Sequence, residues 1–216
     1  MAPMSAAGTR ITIADYGMGN MRSVVKAFEH VGAAATVTSD PREIAAAEAL
    51  VLPGVGAFPE AMREIAARGF AEPIRSRVGE GVPLLGICLG MQLLFESSVE
   101  HGGADGLGLL DGRVESLAVA GLKLPHIGWS PVRSERESGL TAGIADGEPF
   151  YFVHSFVARP SADELIGSAE HGERFAAIVG RGNVYGTQFH PEKSSSAGLA
   201  MLGNFAAIAA QRAVPC

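Results

Sequence analysis

Three short stretches of this 216-residue chain carry residue types that, brought together, could perform acyl transfer. The first is GICLGMQLLF, residues 86–95, which sets Cys88 between an apolar run and a helical pattern, with Gly86 and Gly90 two places away on either side. A cysteine so placed has two readings. It is a buried small hydrophobe, or it is a nucleophile raised on a sharp strand-to-helix turn, the G-x-S-x-G elbow with sulfur in place of oxygen. A helix starting at Leu89 would set its partial positive end against the sulfur and favour the thiolate. The Leu89 N–H would then be free to donate to an oxyanion forming beside it.

The nucleophile reading requires a base. Of the six histidines, His190 in GTQFHPEKS is best placed, because TQF is strand-like and Pro191 biases His190 itself towards extended backbone. Residues i and i+2 of an extended chain share a side, so Glu192 is expected beside the ring. It would fix the tautomer and leave the other nitrogen for the Cys88 proton. The third stretch is PGVGAF, residues 53–58. It is an ordinary turn, or a cradle whose glycines let N–H groups approach a ligand closely. Nucleophile, oriented base and oxyanion cradle together describe acyl transfer through a thioester. Cys88 and His190 lie half the chain apart, so only the fold can unite them.

The elements that must do so are legible as alternating runs. RITIAD (10–15), ATVTS (35–39), ALVLP (49–53) and VPLLGI (82–87) read as strands; Asn20–Val31, Pro59–Arg68, Ala71–Glu80 and residues 89–98 read as helices. Strands alternating with helices across short glycine-bearing turns predict a mostly parallel central sheet flanked by helices, an α/β fold. In the second half RVESLAV, LPHIGWSPV, FYFVHSFVAR and FAAIVGRGNVYGTQFH are short strands, which predicts an antiparallel extension, and Gly198–Gln211 is a closing helix. Nothing marks an internal boundary, so residues 10–212 are expected to form a single domain. Residues 1–9 are expected to be a disordered tail, in which Met4 is an alternative start to Met1.

Composition narrows the function classes. Hydrophobic residues make up 47% of the chain, enough for a packed interior, and the formal net charge is −6 with no basic run. That argues against a nucleic-acid surface or an anionic membrane. No apolar stretch reaches the ~18–20 residues that span a bilayer. Two cysteines, Cys88 and Cys216, form no disulfide framework and suit a reducing, cytoplasmic setting. No metal-ligand spacing, P-loop or dinucleotide fingerprint is evident, so neither metal nor cofactor is expected.

GICLGMQ, PGVGAF and QFHPEKS resemble the signature stretches of the class I, triad-type glutamine amidotransferases. DYGMGNMRSV, HGGADGLGLLDGRV (101–114), LPHIGWSPV (124–132), YFVHSF (151–156) and HPEKSS are similar to one branch of that family, which serves histidine biosynthesis. The resemblance runs from about Arg10 to near the end of the chain. It implies a glutaminase in which Cys88 attacks the side-chain amide of glutamine, His190 acts as base and then acid, and Glu192 orients it. It implies an oxyanion hole from the N–H groups of Val55 and Leu89. Gln92 corresponds to a position contacting the amino-acid end of the substrate, with Gly54, Gly56, His154, Ser155 and Phe156 around the same pocket. In that branch the ammonia passes to a separate (βα)8-barrel cyclase subunit within a heterodimer, across a face to which Gly17, Asn20, Trp129 and Tyr151 correspond. On residue type alone Trp129 is equally a core residue. Branch members commonly carry asparagine where this chain has Ser130. Two other readings remain on these residues: an amidotransferase subunit of another pathway, and a redox sensor whose elbow cysteine is oxidised rather than acylated.

Overall fold

A computed structural model describes residues 10–119 and 121–212. The expected tail, residues 1–9, lies outside the described residues, as does Cys216. The first half runs β1 (Arg10–Ala14), α1 (Met21–His30), β2 (Ala34–Thr38), α2 (Pro41–Ala45), β3 (Ala49–Gly54), α3 (Phe58–Ala67), α4 (Ala71–Gly79), β4 (Leu84–Cys88) and the single helical turn α5 (Leu89–Gln92). Then follow β5 (Ser97–Ser98), β6 (Ala104–Asp105), β7 (Gly112–Ser116), β8 (His126–Ser134), β9 (Glu148–His154) and β10 (Phe156–Pro160). β11 (Leu165–His171), β12 (Glu173–Arg181), β13 (Val184–Thr187) and α6 (Ser195–Arg212) complete the order.

Nine strands form one sheet in the order β2-β1-β3-β4-β13-β12-β11-β8-β9, and β10-β7-β5-β6 form a second. β2, β1, β3, β4 and β13 pair in parallel, and β13, β12, β11, β8 and β9 pair antiparallel. The expected architecture, a parallel core extended by antiparallel strands, is therefore present. Buried on both faces, β3 and β4 read as unbroken apolar runs. Successive residues of β4 enter opposite cores. Leu85 and Ile87 join Phe28, Phe150 and Phe205 on one face, and Leu84 joins Phe58, Phe70 and Phe95 on the other.

One pairing closes the sequence gap between Cys88 and His190. β13 comes from the far end of the chain yet lies parallel to β4, with Thr187 opposite Ile87. Adjacent strands are ~4.8 Å apart. The residues that follow, Cys88 on one strand and Gln188–His190 on the other, therefore leave the sheet side by side at its carboxyl edge, where open α/β sheets bind ligands.

The structure differs from the sequence reading at several elements, and the run FYFVHSFVAR breaks at Ser155 into β9 and β10, which join different sheets. The expected helix over 89–98 stops at Gln92. Leu93, Leu94 and Phe95 are fully buried on all sides rather than along one stripe. Their carbonyls accept N–H bonds from Leu107, Leu110 and Gly108 of the crossing 105–110 loop, which removes the bonds that would propagate a helix. Four elements were not anticipated: the short α2, the two-residue strands β5 and β6, and the strand β11, whose LIGSAEH shows no alternation because residues 166–169 are all buried. The last helix begins at Ser195, three residues before its expected start.

The elbow depends on backbone-to-backbone contact. A Cβ on Gly90 would sit 1.7 Å from the Leu52 carbonyl oxygen, and one on Gly86 2.6 Å from the Gly90 carbonyl oxygen. Gly90→Ala is expected to destabilise the fold by about 3 kcal/mol or more, since nothing flexible is there to yield. Denaturant unfolding measures this, and a midpoint equal to wild type would contradict the close approach.

Candidate active site

Cys88 is the last residue of β4 and the residue before α5, with φ 55° and ψ −111°. That is a sparsely populated region for a residue with a Cβ, costing of order 1–3 kcal/mol. The strained turn points the side chain across the carboxyl edge, where it is nearly buried. Its thiol faces the Val153 carbonyl at 3.9 Å, and Gln188 Nε2 lies 3.9 Å from the sulfur. The dipole expected of a following helix is reduced, because α5 has only four residues. What remains beside the sulfur are the N–H groups of a first helical turn.

His190 Nδ1 lies 2.8 Å from Glu192 Oε1, both side chains being buried. The pairing was anticipated, but its geometry was not. His190 is extended, as Pro191 requires, yet Pro191–Lys193 turn as a short 3-10 helix, so the carboxylate reaches the ring around a corner. A carboxylate only accepts, so Nδ1 carries the proton and Nε2 is the nitrogen left to act. Nε2 is buried without a hydrogen bond of good geometry, while the Cys88 side chain is close enough to influence the ring strongly. Burial opposes charge on the ring, but Cys88 and Glu192 outweigh it and hold His190 at about 9. The backbone of His190 is clamped as well: its N–H donates to Tyr151 O at 3.0 Å, and the Ser194 hydroxyl donates to its carbonyl at 2.7 Å.

A pocket of about 240 Å³ opens over the sulfur. It is smaller than the ~300–1,000 Å³ of drug-sized sites. Gly56, Leu89, Gln92, His154, Ser155 and Phe156 line it together with Cys88. Gly54 and Val55, expected with them, are not among the lining residues. Gly54 is packed under Tyr16, with room for no side chain, and the Val55 side chain is 44% exposed. Gly56 has φ +105°, and a Cβ there would meet Met18 Cε at 2.6 Å. Gln92 is buried rather than a solvated helix residue, and its Nε2 donates to Phe156 O and to Gln188 Oε1, both at 3.0 Å. A larger cavity of about 560 Å³, between β8, α6 and residues 137–146, is lined by neither cysteine nor histidine.

Two residues of the site were not anticipated. Glu100 is buried at the pocket wall, with Oε2 accepting the Phe58 N–H at 2.7 Å. Gln188 sits between Gln92 and the sulfur. Gln188 lies two residues before His190 on the same extended run, a spacing that could have located it; a lone glutamate in SSVEHGG gives no such cue. Behind the pocket His126 and His154 contact each other at 3.0 Å. Burial pushes His126 down to about 4 with help from His171. Burial likewise pushes His154 to about 3, against the pull of its bond to the Phe156 carbonyl and with help from His126, His171 and His190.

The four positions expected at a partner face lie on the surface around this edge. Gly17 and Asn20 are exposed, and Asn20 caps α1 through Ser23 N–H. Trp129 is 52% exposed, which excludes the core alternative, and it meets Tyr151 edge-on at 6.0 Å across the β8–β9 pair. Ile127, Leu122 and Leu124 are exposed nearby in sequence. Among the described residues no helix is long and apolar enough to cross a membrane.

The family model for glutamine amidotransferase class-I matches residues 12–209. The chain belongs to the class I glutamine amidotransferase family. Among its relatives in that family, imidazole glycerol phosphate synthase subunit HisH of Moorella thermoacetica is 52% identical over 196 residues, covering 90% of this chain and 93% of that one. The proteins of the same name from Desulfitobacterium hafniense and Rhodopirellula baltica are 50% and 48% identical, covering 90% and 91% of this chain and 92% and 96% of their own. A crystal structure of a glutamine amidotransferase superposes with TM-score 0.72 at 22% identity over 92% of this chain and 98% of that one. PurLQS from Thermotoga maritima does so with TM-score 0.68 at 21% identity over 96% and 99%. These solved structures share the amidotransferase fold.

The three perturbed histidines predict how this amidotransferase responds to pH. Unfolded, each ring titrates near 6.5. His126 and His154 take up protons on unfolding below that pH, so stability falls as pH drops from about 6.5 towards 4. His190 loses a proton on unfolding above it, so its contribution, complete below about 6.5, is lost as pH rises through 9. The melting temperature should therefore be highest near neutrality, and His154→Leu should flatten the acid limb. An acid limb unchanged in that variant would contradict the assignment.

Proposed function

We propose that this chain is the glutaminase subunit of an imidazole glycerol phosphate synthase. The observation that carries the reading is the identity of about half of all positions to HisH subunits along 90% of the chain, in a protein where a strained cysteine lines one small pocket and a Glu-held histidine follows the neighbouring strand. The substrate is glutamine. Residues 10–212 act as one domain, in the cytoplasm.

The Cys88 thiolate attacks the side-chain amide carbon of glutamine, and the oxygen gathers charge beside the Leu89 and Val55 N–H groups. As the C–N bond breaks, His190 Nε2 gives its proton to the departing nitrogen, and ammonia leaves a glutamyl thioester on Cys88. His190 then takes a proton from water, which attacks the thioester, and glutamate and the free thiol are released. Glu192 keeps Nδ1 protonated throughout. At the other end of the substrate both Gln92 N–H groups are already engaged, so Gln92 presents only its oxygen. That oxygen and the Glu100 carboxylate suit the α-ammonium group; Gly54, Gly56, His154, Ser155 and Phe156 shape the surrounding wall. Ammonia passes to a (βα)8-barrel cyclase docked against Gly17, Asn20, Trp129 and Tyr151, where imidazole glycerol phosphate and aminoimidazole carboxamide ribotide form.

The test is reconstitution. Mixed with the barrel subunit and its ribonucleotide ligand, the chain should release glutamate far faster than alone. Cys88→Ala should lose turnover entirely, and Glu192→Gln should lose about 10²-fold or more by favouring the wrong tautomer. No stimulation by the barrel subunit, or retained turnover in Cys88→Ala, would overturn the reading.

A further inference from the structure

A single chain of hydrogen bonds runs from the exposed β8 strand to the sulfur, and the proton on each link can be assigned. The Phe156 carbonyl, 3.0 Å from His154 Nδ1, can only accept, so Nδ1 carries the His154 proton. His154 is neutral, so its Nε2 is a lone pair, and His126 Nδ1, 3.0 Å away, must donate to it. His126 Nε2 is then also a lone pair, and it is satisfied by the Ser130 hydroxyl at 2.9 Å. At the pocket end the same Phe156 carbonyl accepts from Gln92, Gln92 donates to Gln188, and Gln188 Nε2 faces Cys88. His171 stacks flat on His126 at 4.2 Å and donates its Nε2–H to Lys123 O, so it fixes the plane of the His126 ring without entering the chain.

We propose that Ser130, His126 and His154 are positioning residues for the glutamine pocket: the Phe156 carbonyl fixes the His154 tautomer, the Ser130 O–H, donating to His126 Nε2, favours the matching tautomer of His126, and His154 so held supports the Phe156 carbonyl that orients Gln92. The inference rests on the glutaminase reading for its consequence but on the geometry alone for its mechanism. Without the Ser130 proton, His126 is free to move its own proton to Nε2 and hydrogen-bond to water. Two lone pairs, His126 Nδ1 and His154 Nε2, then face each other at 3.0 Å. While His126 holds that tautomer, the repulsion is relieved when His154 turns its Nδ1–H away from Phe156. One buried carbonyl then loses a donor, and the wall from His154 to Phe156 is released. The effect falls on binding of the amino-acid end of glutamine rather than on the sulfur chemistry. Ser130 lies between Trp129 and Pro131 on the strand exposed at the proposed partner face, so the relay also links that face to the pocket.

Two measurements test this. In the complex with saturating cyclase subunit, Ser130→Ala should raise KM for glutamine about three- to tenfold with kcat within about twofold, and Ser130→Thr, which keeps the hydroxyl, should restore it. His126→Leu should raise KM at least as much, and His126→Asn, whose amide N–H can stand where Nδ1–H stood, should recover most of the loss. Unchanged KM in Ser130→Ala and His126→Leu, or no rescue by Ser130→Thr, would overturn the proposal. Independently, side-chain nitrogen NMR of the chain alone at pH 7 should find His126 and His154 neutral and protonated on Nδ1, with His126 shifting to Nε2–H in Ser130→Ala. Either ring protonated on Nε2 in the wild type would overturn it. Because NMR needs no turnover, a complex that fails to hydrolyse glutamine would count against the glutaminase reading, and the tautomers would still decide the relay.

Discussion

The positive φ of Cys88 is the constraint around which the rest is arranged. A β-strand cannot pass into a helix within one residue unless the backbone turns through a region that side chains ordinarily avoid. Here the turn is enforced from both sides. Gly90 lies against the Leu52 carbonyl and Gly86 against the carbonyl of Gly90, so α5 is pressed onto β3 and β4 at backbone contact distance. With any larger residue at those points the helical turn would lift away. The sulfur would then leave the carboxyl edge and, with it, the His190 ring. The strain is borne by two buried strands whose apolar residues reach into both cores.

Pairing of β13 with β4 makes the second contribution. It is a long-range parallel contact at the centre of a nine-stranded sheet, and it places His190 beside a cysteine that lies half the chain away. The antiparallel strands beyond it serve the same edge. Tyr151 of β9 accepts from the His190 N–H and donates to Ser194, and the β9–β10 junction supplies the pocket wall. The exposed Trp129 and the half-buried Tyr151 that it meets are therefore joined through backbone to the turn that carries His190.

Much of the chemistry was legible because it depends on residue type at short spacing. Glycines two places from a cysteine and a glutamate two places from a histidine are local features, and the fold kept both. Cys88 is strained and His190 meets Glu192, although around a 3-10 corner rather than along a strand. What was not legible depends on distant partners. Leu93–Phe95 look helical until the 105–110 loop takes their carbonyls. β11 lacks alternation because it is covered on both sides. Glu100 becomes a pocket residue only when Phe58 N–H draws it inward. His126 and His154 are direct register partners across the β8–β9 pair, and no spacing in the chain announces it.

The central claim is that one buried imidazole activates one strained sulfur. It is tested most directly by the rate at which a glutamine-analogue electrophile modifies Cys88, with the site of modification located by peptide mass mapping. The account predicts modification at Cys88 alone, protection by glutamine, and a fall of at least about 10²-fold in His190→Asn with the fold intact. Equal rates in wild type and His190→Asn would contradict it.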